Sequence, residues 1–399
     1  MLSSRTGNVP DSAAAAPGRR DAGPAAALAA AGALIYAAVR VLGLAAAALL
    51  LRRGRFRGLH LSLAHLIVSW DSGRYLTIAA RWYAYLPSYR HPDSILAWFP
   101  GYPLAIDAIS WLPGVGPRHA GFAVTIAAGL AAACGLTRLG VALTGDRRLS
   151  LVMVAVWAAA PGSIVLAMVY SEALFCALAV WALVALTGRR WLTAAALAAA
   201  AGLVRGTGIA VSAAVIVAAL PPVITAWRRR QPAAAWWRPA AAAALSPAGM
   251  AGYWAYTAVR TGHLGGWAWL ERNGGNGFDW GQGVAESLRT ALFGRSFPAL
   301  VMTLAVLAVA VLLTLCSLAE RFPLSMHVYT LAVVVTAFAS GPLYLSSKPR
   351  FLLPAVLLAV PVARLLAPLP AWLIGPVIAV LGAASVWFSL LLMTAGWAP

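Results

Sequence analysis

The chain carries eleven acidic residues, so each carboxylate can be weighed for chemistry. Asp11 and Asp21 fall in a Pro- and Ser-containing tail, Asp146 and Glu320 in short turns, and Asp93, Asp107 and Glu286 in polar loops without a distinctive setting. Four remain of interest: Asp71, Glu172, Glu271 and Asp279. Asp71 closes an apolar run in Ile67-Val68-Ser69-Trp70-Asp71-Ser72-Gly73-Arg74-Tyr75-Leu76. Two readings stand for it. One is a salt bridge to Arg74, three residues on along a helix; the other is a general base, since a partly desolvated carboxylate can take a proton from a hydroxyl. Glu172, in Tyr170-Ser171-Glu172, either caps a helix start or assists Asp71.

The basic residues divide in the same way. Arg205 precedes a Gly206-Thr207-Gly208 break, where freed backbone N–H groups and a helix start can hold an anion. Lys348 and Arg350 stand in one short segment. Three cations around one cavity would suit the phosphate of a lipid; the plainer alternative is that each snorkels to the headgroups. Arg40 lies inside an apolar stretch and must face a bundle interior or a wet pocket. No zinc spacing, Lys-bearing phosphate loop, dinucleotide fingerprint or Ser-His-Asp set is found. His60 and His65, among six histidines, are five apart and make no ligand pair. Glu271 to Asp279 lacks the alternating acids of a calcium loop. No cofactor is expected, and the sequence names no metal ligand.

The elements that hold these residues follow from composition. Of 399 residues 62% are hydrophobic and 10% charged, with a mean hydropathy of +0.81. A soluble domain has about 25% charged residues; the balance here excludes a water-soluble enzyme, a disordered chain and a fibrous one. This is the composition of an integral membrane protein. The formal charge of +19 would suggest nucleic acid in a soluble chain. Here the Arg residues, 29 against one Lys, sit largely in loops, where they set topology and meet anionic lipid. A nucleic-acid partner is therefore not expected. Cys134, Cys176 and Cys316 all lie in apolar segments, which argues against a disulfide framework.

A spanning helix takes about 20 apolar residues. That criterion predicts an all-α polytopic protein with about eleven spans, near 25–51, 119–143, 149–169, 172–188, 191–204, 208–227, 239–260, 297–319, 324–345, 351–367 and 371–393. Of these, 191–204 is short and is either a full crossing or a broken, re-entrant helix, and Pro161, Pro247, Pro354 and Pro361 are expected to kink their helices. The organisation is a disordered cytoplasmic tail over 1–24 and one membrane domain over 25–393. Arg147-Arg148, Arg189-Arg190 and Arg228-Arg229-Arg230 mark cytoplasmic turns. The amino terminus is then cytoplasmic, and the long loops 52–118 and 261–296 are both outside. Both are rich in aromatic residues, for which an interfacial belt is the plain explanation.

The motifs, taken in order, resemble those of the PIG-V-like mannosyltransferases, the family of GPI mannosyltransferase II. Trp70-Asp71-Ser72-Gly73-Arg74-Tyr75-Leu76-Thr77-Ile78-Ala79 is similar to that family's Trp-Asp-Gly-x-Trp-Tyr-Leu-x-Ile-Ala. Trp98-Phe99-Pro100-Gly101-Tyr102-Pro103 resembles its Phe-Phe-Pro-x-Tyr-Pro, and Tyr170-Ser171-Glu172-Ala173-Leu174-Phe175 its Tyr-Ser-Glu-x-Leu-Phe. Arg205-Gly206-Thr207-Gly208 and Arg350-Phe351-Leu352-Leu353-Pro354 resemble an Arg-x-Asn-Gly break and an Arg-Tyr-Leu-Leu-Pro element. Ser72, Arg74 and Thr207 depart from the family pattern and leave the substrate open.

The resemblance implies a GT-C fold with a helical first outer loop. It implies inverting transfer of mannose from polyprenyl-phosphate-mannose to a hydroxyl of a lipid or cell-envelope glycan on the non-cytoplasmic face. In it Asp71 is the base, Glu172 assists, Arg205, Lys348 and Arg350 hold the donor phosphate, and Trp70, Arg74, Tyr75, Tyr102 and Tyr170 shape the substrate site. The Ala-rich composition, with 29 Arg against one Lys, suggests a GC-rich bacterial genome and so a bacterial plasma membrane. Membrane lipid, the polyprenyl-phosphate sugar and the acceptor are the expected partners. Two rivals are another polyprenyl-phosphate sugar on the same fold, and a secondary transporter or lipid flippase.

Overall fold

The structure is a computed structural model that describes residues 22–52, 62–84, 94–274, 277–294 and 297–398. The tail expected over 1–24 lies outside the described residues as far as 21, and helix begins at Ala22. The arginines at 53, 55 and 57 and the loop tyrosines 85 and 89 are also outside them. Among the described residues all regular structure is helical. Five helices are long and apolar enough to cross a membrane: Gly23–Arg52, Pro117–Thr144, Gly208–Arg228, Pro298–Leu318 and Ala371–Thr394. A pair bent by 74°, Tyr344–Phe351 with Val356–Leu366, makes a sixth if taken as one span.

The eleven expected spans therefore divide into long helices and broken ones, and the breaks fall at prolines and glycines. The segment 149–169 is helix only through Ala158; after Pro161 the chain turns at Gly162 (φ 76°) into a 3-10 turn, Ser163–Ala167. Proline cannot continue the helical hydrogen-bond ladder, and only glycine takes the left-handed backbone at no steric cost. The segment 239–260 splits before Pro247 into Trp237–Leu245 and Ala248–Thr261. Glu172–Thr187 and Trp191–Val204 run 16 and 14 residues. At 1.5 Å per residue these are about 24 and 21 Å long, short of a hydrocarbon core of about 30 Å.

Pro117–Thr144 packs against Glu172–Thr187, Arg147–Ala158 and Ala22–Arg52, and Gly208–Arg228 against Leu324–Ala339 and Trp191–Val204. Small residues let these backbones approach, as bilayer helices require when lipid supplies no hydrophobic drive between them. Gly129 shows the need: a Cβ there would lie 2.1 Å from the hydroxyl of Tyr36, which donates to the Leu166 carbonyl. Arg40 finds its partners at the 158–163 break. Its guanidinium donates to the carbonyls of Ala158 and Ser163 and, at 3.1 Å, to Ser163 Oγ. A cation thus meets the carbonyls that a helix end leaves unsatisfied.

The expected outer loops fold as short helices over the bundle. Leu63–Ile67, Ser72–Arg81 and Gly101–Ser110 come from the first, Gly266–Asn273 and Gln282–Phe293 from the second. Trp267 Nε1 donates to the Ala97 carbonyl at 3.2 Å, and Phe99 packs on Tyr253 and Trp267, so the two loops share an aromatic core.

Candidate active site

Asp71 owes its position to a tight turn. Trp70 adopts a left-handed backbone (φ 58°), which ends Leu63–Ile67 and starts Ser72–Arg81 with Asp71 at its head. The turn is pinned from below: Val169 N–H donates to the Ile67 carbonyl at 2.9 Å, and Asp71 N–H to Tyr170 Oη at 3.3 Å. Those contacts place Asp71 directly beside the Tyr170-Ser171-Glu172 step.

Two arginines join the acids. Arg350 Nη2 donates to Asp71 Oδ2 at 2.7 Å, and its Nε lies 3.8 Å from Glu172 Oε1. Arg205 Nη1 lies 2.7 Å from the same Glu172 oxygen and 3.0 Å from Ser171 Oγ. The result is an alternating chain, Asp71–Arg350–Glu172–Arg205, with two charges of each sign. The Glu172 and Arg350 side chains are nearly closed off, at 1% and 2% exposure, whereas Asp71 keeps 23%. Glu172 Oε2 and Arg350 Nε and Nη1 are buried without a hydrogen bond. Buried polar atoms without partners are rare and costly, so this network retains capacity for a ligand. Arg205 is placed by the break it was read from: the chain turns extended at Arg205, and Gly206-Thr207 lead into Gly208–Arg228. Arg350 is held tightly as well, since a Cβ on Gly162 would lie 3.0 Å from its backbone nitrogen.

Over this chain lies a cavity of about 290 Å³. Its polar side is Asp71, Tyr75, Arg205, Glu271 and Arg350, and its walls are aromatic, including Trp98, Trp254, Trp267 and Phe351. Every one of the five sequence motifs reaches this place, four on the lining and Tyr170-Ser171-Glu172 beneath it. A larger groove of about 550 Å³ lies between Ala22–Arg52, Arg147–Ala158 and Ala371–Thr394. It is apolar but for Arg148, with no acid or nucleophile.

Neither family models nor curated protein sequences give a match to this chain. The site therefore rests on its own geometry.

Asp71, Glu172, Arg205 and Arg350, each singled out in the sequence, come together. Lys348 does not line the cavity. Its ammonium donates to the carbonyls of Ala337, Phe338 and Ser340 at 2.5–3.1 Å and to Ser340 Oγ at 3.0 Å, capping the end of Leu324–Ala339. Of the residues expected to shape the substrate site, Tyr75 lines it; its hydroxyl pairs with Ser171 Oγ at 2.8 Å. Burial holds the Tyr75 phenol above its ordinary range, so it stays neutral. Tyr102 is buried behind, bonded to the Gly121 carbonyl and Thr125, and Tyr170 lies under Arg350. Trp70 is 41% exposed, outside the cavity. Arg74 stacks over Trp98, 4.5 Å from its ring centre, and the ion pair of Asp71 is made with Arg350 instead.

Glu271, one of the four acids of interest in the sequence but given no role there, lines the cavity as well. It stands on Gly266–Asn273, four residues after Trp267, so an aromatic ring and a carboxylate share one helix face toward the cavity. That spacing was the available signal. Burial first, and the negative charge of Asp71 second, push its carboxyl up to about 8. Asp279, by contrast, is a cap: Oδ1 and Oδ2 accept from Gly281 N–H at 2.9 Å and Gly283 N–H at 2.8 Å. Among the described residues no three His, Cys, Asp or Glu side chains gather to hold a metal ion.

Proposed function

We propose that this protein is a GT-C-type glycosyltransferase of a bacterial plasma membrane. In this reading it moves mannose from polyprenyl-phosphate-mannose to a hydroxyl of a lipid or cell-envelope glycan on the extracytoplasmic face. The observation that carries the proposal is the convergence of five motifs, separated by up to 279 residues, on one aromatic cavity with a carboxylate and an arginine pair at its floor. The motifs are those that resemble the PIG-V-like mannosyltransferases.

The chemistry follows from the parts. The donor's phosphate is both leaving group and membrane anchor, so the reaction asks for cations and a hydroxyl-orienting acid, with no nucleotide site. Arg350, whose Nε and Nη1 have no hydrogen bond of their own, and Arg205 stabilise the charge that develops on the phosphate as the bond to the anomeric carbon breaks. Asp71 Oδ2 is taken by Arg350, while Oδ1 accepts no hydrogen bond among the described residues and is available to orient the acceptor hydroxyl. Attack from the face opposite the phosphate inverts the anomeric centre. Trp98, Trp254 and Trp267 give the sugar apolar faces to lie against.

The test is release of polyprenyl phosphate by purified protein in liposomes containing polyprenyl-phosphate-mannose and a membrane-lipid extract. Release that depends on Asp71 supports the reading; uptake or flipping of lipid with no sugar transfer replaces it with a transporter.

A further inference from the structure

Three carboxylates stand at the site, and the arginines engage two of them. Asp71 gives Oδ2 to Arg350, and Glu172 gives Oε1 to Arg205 and Arg350. Glu271 lines the same cavity from Gly266–Asn273 and has no ionic partner among the described residues. We infer that Glu271, rather than Asp71, is the catalytic base that receives the acceptor's proton, with Asp71 orienting the hydroxyl. The inference rests on the transferase reading above.

The groups around Glu271 support this division. From the head of Ser72–Arg81 it meets the negative charge of Asp71, and from Ala248–Thr261 and the 3-10 turn 342–347 the neutral phenols of Tyr253 and Tyr344. Arg205 and Arg350 line the cavity floor, each already bound to an acid, and Arg272 beside it on its own helix is exposed. Ile95–Ala97, packed against that helix, brings no charge. Burial and a like charge both favour the protonated carboxyl, so Glu271 exchanges its proton near pH 8. A base is most effective with its pKa near the working pH. The step balances: the acceptor oxygen bonds to the anomeric carbon, the carbon–oxygen bond to phosphate breaks with its electron pair leaving on phosphate, and the hydroxyl proton ends on the Glu271 carboxylate.

The experiment is the pH profile of polyprenyl-phosphate release for wild type, Glu271→Gln and Asp71→Asn, with an infrared titration of the carboxyl band in the same proteins. Wild-type activity is expected to rise with pH through a midpoint near 8, levelling off above it, as Glu271 ionises. Glu271→Gln loses about 10²- to 10⁴-fold and the rising limb with it. Asp71→Asn is slower but keeps the limb, displaced to lower pH, because the charge that raises Glu271 is gone. The infrared band that titrates near pH 8 is absent in Glu271→Gln. An unchanged limb in Glu271→Gln, or a limb that survives there and vanishes in Asp71→Asn, overturns the inference and leaves the transferase reading standing. A wild type that transfers no sugar from any donor removes the transferase reading itself; the infrared titration then still shows whether Glu271 holds its proton to that pH.

Discussion

Arg350 and Asp71, 279 residues apart in sequence, are joined by a 2.7 Å hydrogen bond between Nη2 and Oδ2. The bond ties the bent segment 344–366 to the turn at Trp70-Asp71 and leaves the rest of the guanidinium beside Glu172 at the cavity. It does two jobs at once, holding the loop on the bundle and presenting a cation beside the acid.

Removing that cation strands Asp71 and leaves Glu172 with Arg205 alone. Arg350→Met is expected to cost about 3–5 kcal/mol of stability, the range for breaking a buried pair from one side. The double variant with Asp71→Asn is expected to lose less than the sum of the two singles, since the variants share one contact. Thermal melts of the four proteins in the same detergent check both statements; strict additivity would show that the pair is not coupled.

Lys348 separates position in sequence from role. Its ammonium is occupied by three carbonyls and a hydroxyl at the end of Leu324–Ala339. Lys348→Met should therefore lower the melting temperature, by the equivalent of about 1–3 kcal/mol for the acceptors left unmet, while the KM for donor stays within about twofold at a temperature where the protein is folded. A tenfold rise in KM with unaltered stability would return Lys348 to the phosphate.

Arg40 binds the break at 158–163 to the first helix through carbonyls and a hydroxyl, and no ion pair joins it to an acid of the site among the described residues. Arg40→Leu is expected to reduce stability by about 1–2 kcal/mol, the scale of polar contacts between helices in lipid, and to leave the pH profile of any transfer reaction unmoved. Both quantities are read on one preparation, and a moved profile would link this cluster to the site.

Glu271 also makes a stability prediction that needs no substrate. Its carboxyl is raised from an ordinary 4.5 to about 8 in the folded chain. Between those values the folded state binds more protons than the unfolded one, so stability falls as pH rises. The contribution is present in full below about 4.5 and lost by about 8. Melting temperatures measured across that window should decline in the wild type and decline less in Glu271→Gln; parallel curves would place Glu271 in water.

How much of this was legible in the sequence depended on range. Asp71, Glu172, Arg205 and Arg350 carry their message in residue type, because a charge beside an apolar run needs a partner, and the structure supplies those partners from one another. Lys348 looked the same in sequence. What set it apart was the helix end at Ala339, whose open carbonyls only three-dimensional packing brings to its ammonium. The expected span count exceeds the long helices because hydropathy counts apolar residues, and at Pro161, Pro247 and Pro354, legible in the sequence as kinks, the helices end outright. Glu271 stood among the four acids of interest, but its polar loop gave it no role, and its four-residue spacing from Trp267 was the one local sign of the face it shares.

The central claim, sugar transfer at the Asp71 cavity, is met most directly by comparing wild type and Asp71→Asn in liposomes holding polyprenyl-phosphate-mannose and a membrane-lipid extract, with polyprenyl phosphate as the product measured. The account predicts release by the wild type and a loss of about 10²-fold or more in Asp71→Asn at equal folded protein. Equal release by both proteins would contradict it.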